Sequence, residues 1–191
     1  MIKSLIEDRE VTKYEIIDDV KRSYAGSQIV DSPIFDSGVV TKDERTNEDS
    51  TLTCSEKCAQ VDIKAEINTD ELHRSIYDVI VYNSAIDISG KIEVTENALK
   101  ATTNTFLIGI SDFKGLSEIP QLQFGGKNYK LSKYSNQLKA EVELPEGAQV
   151  GDFIDFTLAL NLKGTESLEF KPSAKEISLT MNSTYPHPSF Q

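Results

Sequence analysis

Apolar residues in the first part of the chain recur at helical spacing, with good helix formers between them. These apolar residues are Leu5, Ile6, Ile16, Ile17, Val20 and Tyr24. Gly26 follows, and glycine commonly ends a helix. We therefore predict an amphipathic α-helix over residues 1–25. Its apolar stripe is ragged around residues 9–13, so the first half is expected to project into solvent.

Beyond Gly26 the apolar period falls to two, which is typical of β-strands. Residues 60–67 alternate cleanly, and similar alternation recurs in stretches within 86–94, 122–131, 138–144, 154–162 and 168–181. Gly125-Gly126-Lys127 is a hairpin signal, and Gly90 is where we place a β-bulge. We expect a short helical turn at Asp70–Arg74 and a long solvated loop at Asp36–Ser50.

Many short strands separated by turn residues predict a mainly β fold rather than alternating βαβ units. The specific fold class that we expect is an antiparallel β-sandwich with an N-terminal α-helix. This architecture is a statement about fold only, since one fold serves many functions.

The charge balance is acidic, with 20 Lys and Arg against 31 Asp and Glu, a net charge of −11. Such a field disfavours nonspecific contact with DNA, RNA and anionic lipid headgroups. We therefore predict that nucleic acid is not a partner.

The cysteines are Cys54 and Cys58, in T-C-S-E-K-C-A. A local disulfide is the favoured interpretation, although it would close a very small ring that stabilises the chain little. Two free thiols are the alternative. A metal site is disfavoured because zinc needs two further ligands and the chain has only two histidines.

Catalytic motifs are absent from the sequence: no G-x-S-x-G elbow, phosphate loop or EF-hand loop occurs, and there is no tryptophan for sugar stacking. We therefore predict that the chain is not an enzyme and holds no cofactor. The segment F-L-I-G-I-S-D-F-K-G-L, residues 106–116, is more distinctive. The favoured interpretation is a buried strand followed by a turn that Asp112 caps, and the alternative makes Asp112 a functional acid.

Four segments are shared in order with one known family. They are L-I-E-D-R-E-V-T-K-Y-E, H-R-S-I-Y-D-V-I-V-Y-N-S-A-I-D-I-S-G, I-G-I-S-D-F-K-G-L and Y-P-H-P-S-F-Q, which together extend from Leu5 to Gln191. On these segments the chain resembles the CreD family, inner-membrane proteins associated with cell-envelope integrity and colicin tolerance. The cysteine pair departs from the family's pattern, so it is unlikely to carry a shared function.

The resemblance implies a place in a longer protein. It implies membrane helices before and after this chain, which would be partners of the domain at the bacterial inner membrane, on the extracytoplasmic (periplasmic) side. Residues 1–25 would then form a membrane-proximal stalk helix, and residues 26–191 a single extracytoplasmic β-rich domain.

Two functions fit these expectations. The first is an interaction module that contacts an envelope protein or a cell-wall component. The second is a small-ligand sensor for an envelope-derived fragment, with Arg74, Tyr77, Asp112 and His187 converging on one site.

Overall fold

The computed structural model describes residues 2–42, 49–74 and 76–186. The helices of this part are α1 (Ile2–Ser23) and α2 (Glu96–Lys100), and a 3₁₀ turn covers Phe113–Gly115. The strands are β1 (Gln28–Asp31), β2 (Ile34–Lys42), β3 (Asp49–Arg74), β4 (Tyr77–Glu93), β5 (Thr103–Gly109), β6 (Gln121–Phe124), β7 (Lys127–Lys130), β8 (Ser132–Tyr134), β9 (Gln137–Val142), β10 (Phe153–Thr165), β11 (Leu168–Lys171) and β12 (Ala174–Ser183). Neither helix of the described residues has the length and apolarity needed to cross a membrane.

The predicted N-terminal helix is confirmed by α1. Its second half packs on the sheet, where Val20 is buried together with Val79 and Val81 of β4. Residues 9–15 are exposed, as the ragged apolar stripe predicts. Lys21 and Arg22 occupy the last turn, where positive charge favours the helix dipole.

The main sheet has the strand order β7-β6-β10-β4-β3-β2-β5-β9-β8, and its neighbours along this path are antiparallel. β3 changes partner along its length: β2 pairs with residues 49–57, and β12 pairs in parallel with residues from Cys58 to Ile67. A small parallel pair, β1 with β11, lies beside this sheet.

The mainly β class is confirmed, but the predicted sandwich is wrong, because the main sheet is one nearly closed, barrel-like antiparallel sheet. β3 is 26 residues long and pairs with β2 along its first part and with β4 and β12 further on, so it belongs to both halves and no gap separates two layers. The two ends of the strand order, β7 and β8, are joined by the single buried residue Leu131. Nearby, Lys127 Nζ lies 2.9 Å from Glu143 Oε2, and the Glu143 amide donates to the Tyr129 hydroxyl at 3.1 Å.

The inward-facing side chains of the strands fill the interior of the sheet. Its largest buried side chains include Phe35, Phe106, Phe124 and Phe156. The Phe35 and Phe124 rings stack with centroids 5.8 Å apart, and Phe106 meets Phe156 edge to face at 5.1 Å. Each buried side chain of this kind stabilises the fold by about 1.5–3 kcal/mol relative to exposure. The core is therefore a packed one, held across the sheet by aromatic contacts.

Two local predictions are wrong for the same reason. Residues 36–42 and 49–50 of the expected loop are strand, while residues 43–48 lie outside the described part. β2 is hydrogen-bonded on both sides, and its buried Ser37 hydroxyl donates to Asn104 Oδ1 at 3.1 Å. The helical turn expected at Asp70–Arg74 is instead the end of β3, paired with β4. In both places strand pairing overrides local composition.

Gly90 does not form the predicted bulge. β4 keeps an unbroken register on both sides, with Gly90 opposite Val61 and opposite Phe156. A Cβ at Gly90 would lie 2.2 Å from the Gln60 carbonyl oxygen and 2.7 Å from Phe156 Cζ. Glycine is required here by the close approach of a neighbouring strand and an aromatic ring.

Replacing Gly90 by Ala is expected to lower the free energy of unfolding by about 1–3 kcal/mol, because the added methyl overpacks the core. Urea denaturation measures the change. Gly26→Ala is the matched control, since nothing lies within 4 Å of a Cβ at Gly26. Equal stability of the two variants would contradict the close approach at Gly90.

Candidate functional site

The tip of the β3–β4 hairpin extends past the closed part of the sheet. Residues 71–74 pair with residues 77–80, and neither stretch pairs with another strand in the described chain. Successive side chains of a strand point to opposite faces. One face of the hairpin carries Leu72 and Val79 and packs against α1. The other face, with Ile80, borders a cleft.

We call this space beside the hairpin tip the mouth cleft. Its volume is about 460 Å³, within the range of small-molecule sites. Its walls come from α1, β3, β4, the turn between β10 and β11, and β12 with the residue after Thr184. Most of its larger side chains are apolar or aromatic. They include Ile67, Ile80, Tyr82, Leu168, Met181 and Tyr185.

The two carboxylates that line the mouth cleft already have partners. Asp78 contacts the Nδ1 atom of His73 on the opposite strand. Glu166 Oε2 lies 2.9 Å from Lys21 Nζ of α1 and accepts a hydrogen bond from the Ser27 hydroxyl. Both carboxylates are thus engaged within the chain, and most of the larger side chains around them are apolar or aromatic, so the cleft surface favours an apolar ligand.

Tyr82 is fixed at the inner end of the cleft. Its hydroxyl donates to the Ser167 carbonyl at 2.7 Å, and burial raises the pKa of Tyr82 well above its usual value. The group is therefore a neutral donor at any physiological pH. Gly164 makes room for it, because a Cβ at that position would lie 2.2 Å from the Tyr82 hydroxyl.

The site residues predicted from sequence are not brought together at this cleft. Arg74 and Tyr77 face each other across the hairpin, and the Tyr77 hydroxyl donates to the Arg9 carbonyl of α1 at 2.9 Å. They therefore lie on the α1 face, opposite the face of Ile80. His187 lies outside the described residues.

Asp112 lies far from Tyr77, at the other end of α1. Tyr77 contacts the helix at Arg9, whereas Asp112 Oδ2 accepts from the Gly26 amide at 3.3 Å, beyond the end of the helix. Residues 9–23 of the helix alone span about 21 Å at 1.5 Å per residue. Asp112 and Tyr77 therefore do not belong to one site.

Asp112 caps the turn that follows β5, as the favoured interpretation of the sequence predicts. Its Oδ1 atom accepts from the Lys114 amide at 2.9 Å. The buried Gln28 side chain donates from Nε2 to the carbonyls of Asp112 and Lys163, both at 3.1 Å. A Cβ at Gly115 would lie 2.2 Å from that Nε2 atom. The motif I-G-I-S-D-F-K-G-L therefore joins the end of α1, β1 and β10.

The favoured disulfide between Cys54 and Cys58 is not formed, and both thiols are free. The two residues lie four positions apart on the continuous strand β3, which separates their Cα atoms by about 13 Å. A disulfide requires a Cα separation below about 7 Å. Cys58 is fully buried with its Sγ atom 3.3 Å from the Pro33 carbonyl oxygen, and burial raises its pKa to about 12.

The sequence analysis did not identify the residues of the mouth cleft. Alternation of apolar and polar residues predicts where strands lie, but it does not show which inward-facing residues lie beyond the closed part of the sheet. One signal was present in the sequence. V-I-V-Y, residues 79–82, interrupts the alternation with four consecutive apolar or aromatic residues. Such a run indicates a strand covered on both faces. Here α1 covers one face, and the other borders the cleft.

Among the residues that the structure describes, no group of three His, Cys, Asp or Glu side chains could hold a metal ion.

Replacing Asp112 by Ala is expected to lower the free energy of unfolding by about 1–2 kcal/mol, because the Lys114 and Gly26 amides lose their acceptor. Asp112→Asn keeps one side-chain oxygen and should lose less. Asp155→Ala is the control, since its carboxylate is 80% exposed and 4.0 Å from Lys91. A fully stable Asp112→Ala variant would contradict the capping role.

The two thiols are expected to differ in reactivity. At pH 8 a thiol reagent should modify Cys54 in the folded protein, while Cys58 should react only after denaturation, because it is buried and its pKa is about 12. Counting modified thiols by mass spectrometry checks this. In a Cys54→Ser variant the folded protein should remain unmodified, and rapid labelling of that variant would contradict the burial of Cys58.

Comparison with known proteins agrees with the resemblance carried by the motifs. Residues 1–191 match the family model described as inner membrane protein CreD. The chain is 22% identical over 206 residues to the inner membrane protein CreD of Escherichia coli (strain K12), a match that covers 100% of this chain and 46% of that protein. The chain thus spans about half the length of this curated relative. With a family model matched along its whole length, this chain belongs to the CreD family of inner membrane proteins.

Proposed function

We propose that this chain is a non-catalytic extracytoplasmic domain of a CreD-like inner-membrane protein. It contributes to cell-envelope integrity and to tolerance of colicins and envelope stress by contacting an envelope protein or a cell-wall component. The observation that carries the contact function is the outer edge of β12.

β12 is ten residues long and pairs with β3 on one side. On its other side no strand pairs with it in the described part of the chain. Ile177 and Leu179 are 45% and 41% exposed, although they stand beside the buried Val61 and Ile63 in the parallel register. The strand therefore presents both unpaired backbone groups and apolar side chains to a partner.

Natural edge strands are commonly protected from pairing by charged side chains, prolines, bulges or short length. β12 has little of this protection. Its charged residues, Lys175 and Glu176, both lie at its start, and Lys175 contacts Glu93 at 2.5 Å. Residues 177–183 carry no charge. An extended segment of a partner protein could add to this edge as a further strand.

α1 and the segment after β12 both contact the β3–β4 hairpin. The Arg9 carbonyl accepts from Tyr77 near the hairpin tip. The Thr184 amide donates to the Ile67 carbonyl, and the Thr184 hydroxyl accepts from the Thr69 amide, on the same hairpin. The first half of α1 and the segment after β12 thus lie at the same end of the molecule as the hairpin tip.

The second candidate function is a small-ligand sensor for an envelope-derived compound. The mouth cleft favours it, because about 460 Å³ of apolar-lined space lies within the usual size range of ligand sites. The cleft and the β12 edge share this strand but involve different residues, Met181 in the cleft and Leu179 at the edge, so variants at other positions of each surface can test the two functions.

Leu179→Lys in the full-length protein is expected to lower envelope-stress tolerance towards that of a strain lacking the protein, at unchanged protein abundance. A lysine on the edge opposes the addition of a partner strand, while an exposed position tolerates the change with little effect on stability. Tolerance assays paired with immunoblots measure both quantities.

Val150→Lys is the matched control, since Val150 is 57% exposed in a turn outside β12. It should leave tolerance unchanged. Normal tolerance in the Leu179→Lys strain would contradict a contact through the β12 edge, as would an equal loss in both strains.

A further inference from the structure

We infer that the mouth cleft binds a single acyl chain carrying an uncharged polar headgroup. This inference rests on the ligand-sensor function proposed above and names the chemical class of its ligand. It depends on the lining of the cleft, on the polar groups around it and on the charge of the chain.

Apolar side chains that the fold leaves half-buried form the wall of the cleft. Ile67 and Ile80 lie on the inner face of the hairpin, Leu168 begins β11, and Met181 lies near the end of β12. All four retain intermediate exposure in the structure. A flexible hydrocarbon chain that covers them would remove apolar surface from water, which is favourable in proportion to the area buried.

Several polar side chains around the cleft are already hydrogen-bonded within the chain. The Thr69 hydroxyl lies 3.1 Å from that of Thr184, and the Ser183 hydroxyl accepts from the Tyr185 amide at 3.1 Å. The Tyr82 hydroxyl donates to Ser167. Asp78 and Glu166 are held by His73 and Lys21, as described above.

A saccharide or a wall peptide would bury many hydroxyl or amide groups at this surface. Each such group loses water and must find a new partner, and burial without one is costly. Because each polar side chain described above already has a partner within the chain, it offers a polar ligand fewer new hydrogen bonds than a free group would. An acyl chain needs none, so the cleft discriminates in favour of hydrocarbon over a polar wall fragment.

Charge selects the headgroup. The chain has a net charge of −11, which disfavours an anionic head near the protein. Lys21, which lies beside Glu166 of the cleft wall, is already paired with that carboxylate, and His73 contacts Asp78. An uncharged headgroup at the open side of the cleft is not repelled by the acidic chain and needs no free cation.

The test measures binding of three probes to the 191-residue chain: monomeric dodecyl maltoside, maltose and dodecanoate, each by calorimetry and thermal shift. We expect dodecyl maltoside to bind and raise the Tm, dodecanoate to bind more weakly, and maltose not to bind. Maltose separates the sugar from the alkyl chain, and dodecanoate tests the effect of a negative head.

Variants assign the binding to the cleft. Ile80→Trp should fill the space with apolar bulk, and Met181→Gln should place an amide in the wall; each is expected to weaken dodecyl maltoside binding by about tenfold or more. Val150→Gln, at an exposed apolar position outside the cleft, should bind as the unaltered chain does. Circular dichroism and the Tm without ligand verify that each variant is folded.

Two outcomes would overturn the inference in different ways. If soluble saccharide or peptide wall fragments bind the unaltered chain but not the Ile80→Trp variant, while dodecyl maltoside binds neither, the ligand class is wrong and the sensor function stands. If neither kind of probe binds, or if folded Ile80→Trp and Met181→Gln variants bind dodecyl maltoside normally, both the acyl ligand and the cleft as a sensor site are wrong.

Discussion

The unbroken antiparallel register between β3 and β4 is the constraint on which the rest of this structure depends. Residues 60–74 pair with residues 77–91 without a bulge, and β4 continues the same regularity with β10. Because β3 also runs on beside β2, this one strand belongs to both halves of the sheet. The sheet therefore curls on itself instead of separating into two layers, and the hairpin tip extends beyond it to form one wall of the mouth cleft.

The segment around Asp112 connects this sheet to the N-terminal helix. The Asp112 carboxylate accepts from Gly26 and Lys114, while Gln28 holds two carbonyls in the buried space beside Gly115. Side-chain bonds to backbone groups of this kind are worth about 1 kcal/mol each and are costly to leave unmade when buried. The most distinctive motif in the sequence is thus accounted for by the attachment of α1 to the sheet.

The two surfaces proposed to act in binding meet on one strand. Met181 lines the mouth cleft, and Leu179, two residues earlier on the same face of β12, is exposed beside the free edge. β12 is anchored on one side, by its parallel register with β3. A ligand in the cleft and a partner at the edge would therefore contact the same strand.

The sequence by itself determined the N-terminal helix, the mainly β class, the hairpin at Gly125-Gly126 and the capped turn at Asp112, because each follows from spacing or from the chemistry of neighbouring residues. Only the tertiary structure decided between a sandwich and a nearly closed sheet, since both require the same alternation of apolar and polar residues. It also decided that Cys54 and Cys58 are too far apart to bond, because their strand is extended. The tertiary structure likewise decided the mouth cleft. Ile80 is one apolar residue in the run V-I-V-Y, and it lines a cleft because the hairpin that carries it extends past the strands that pair with the rest of β4.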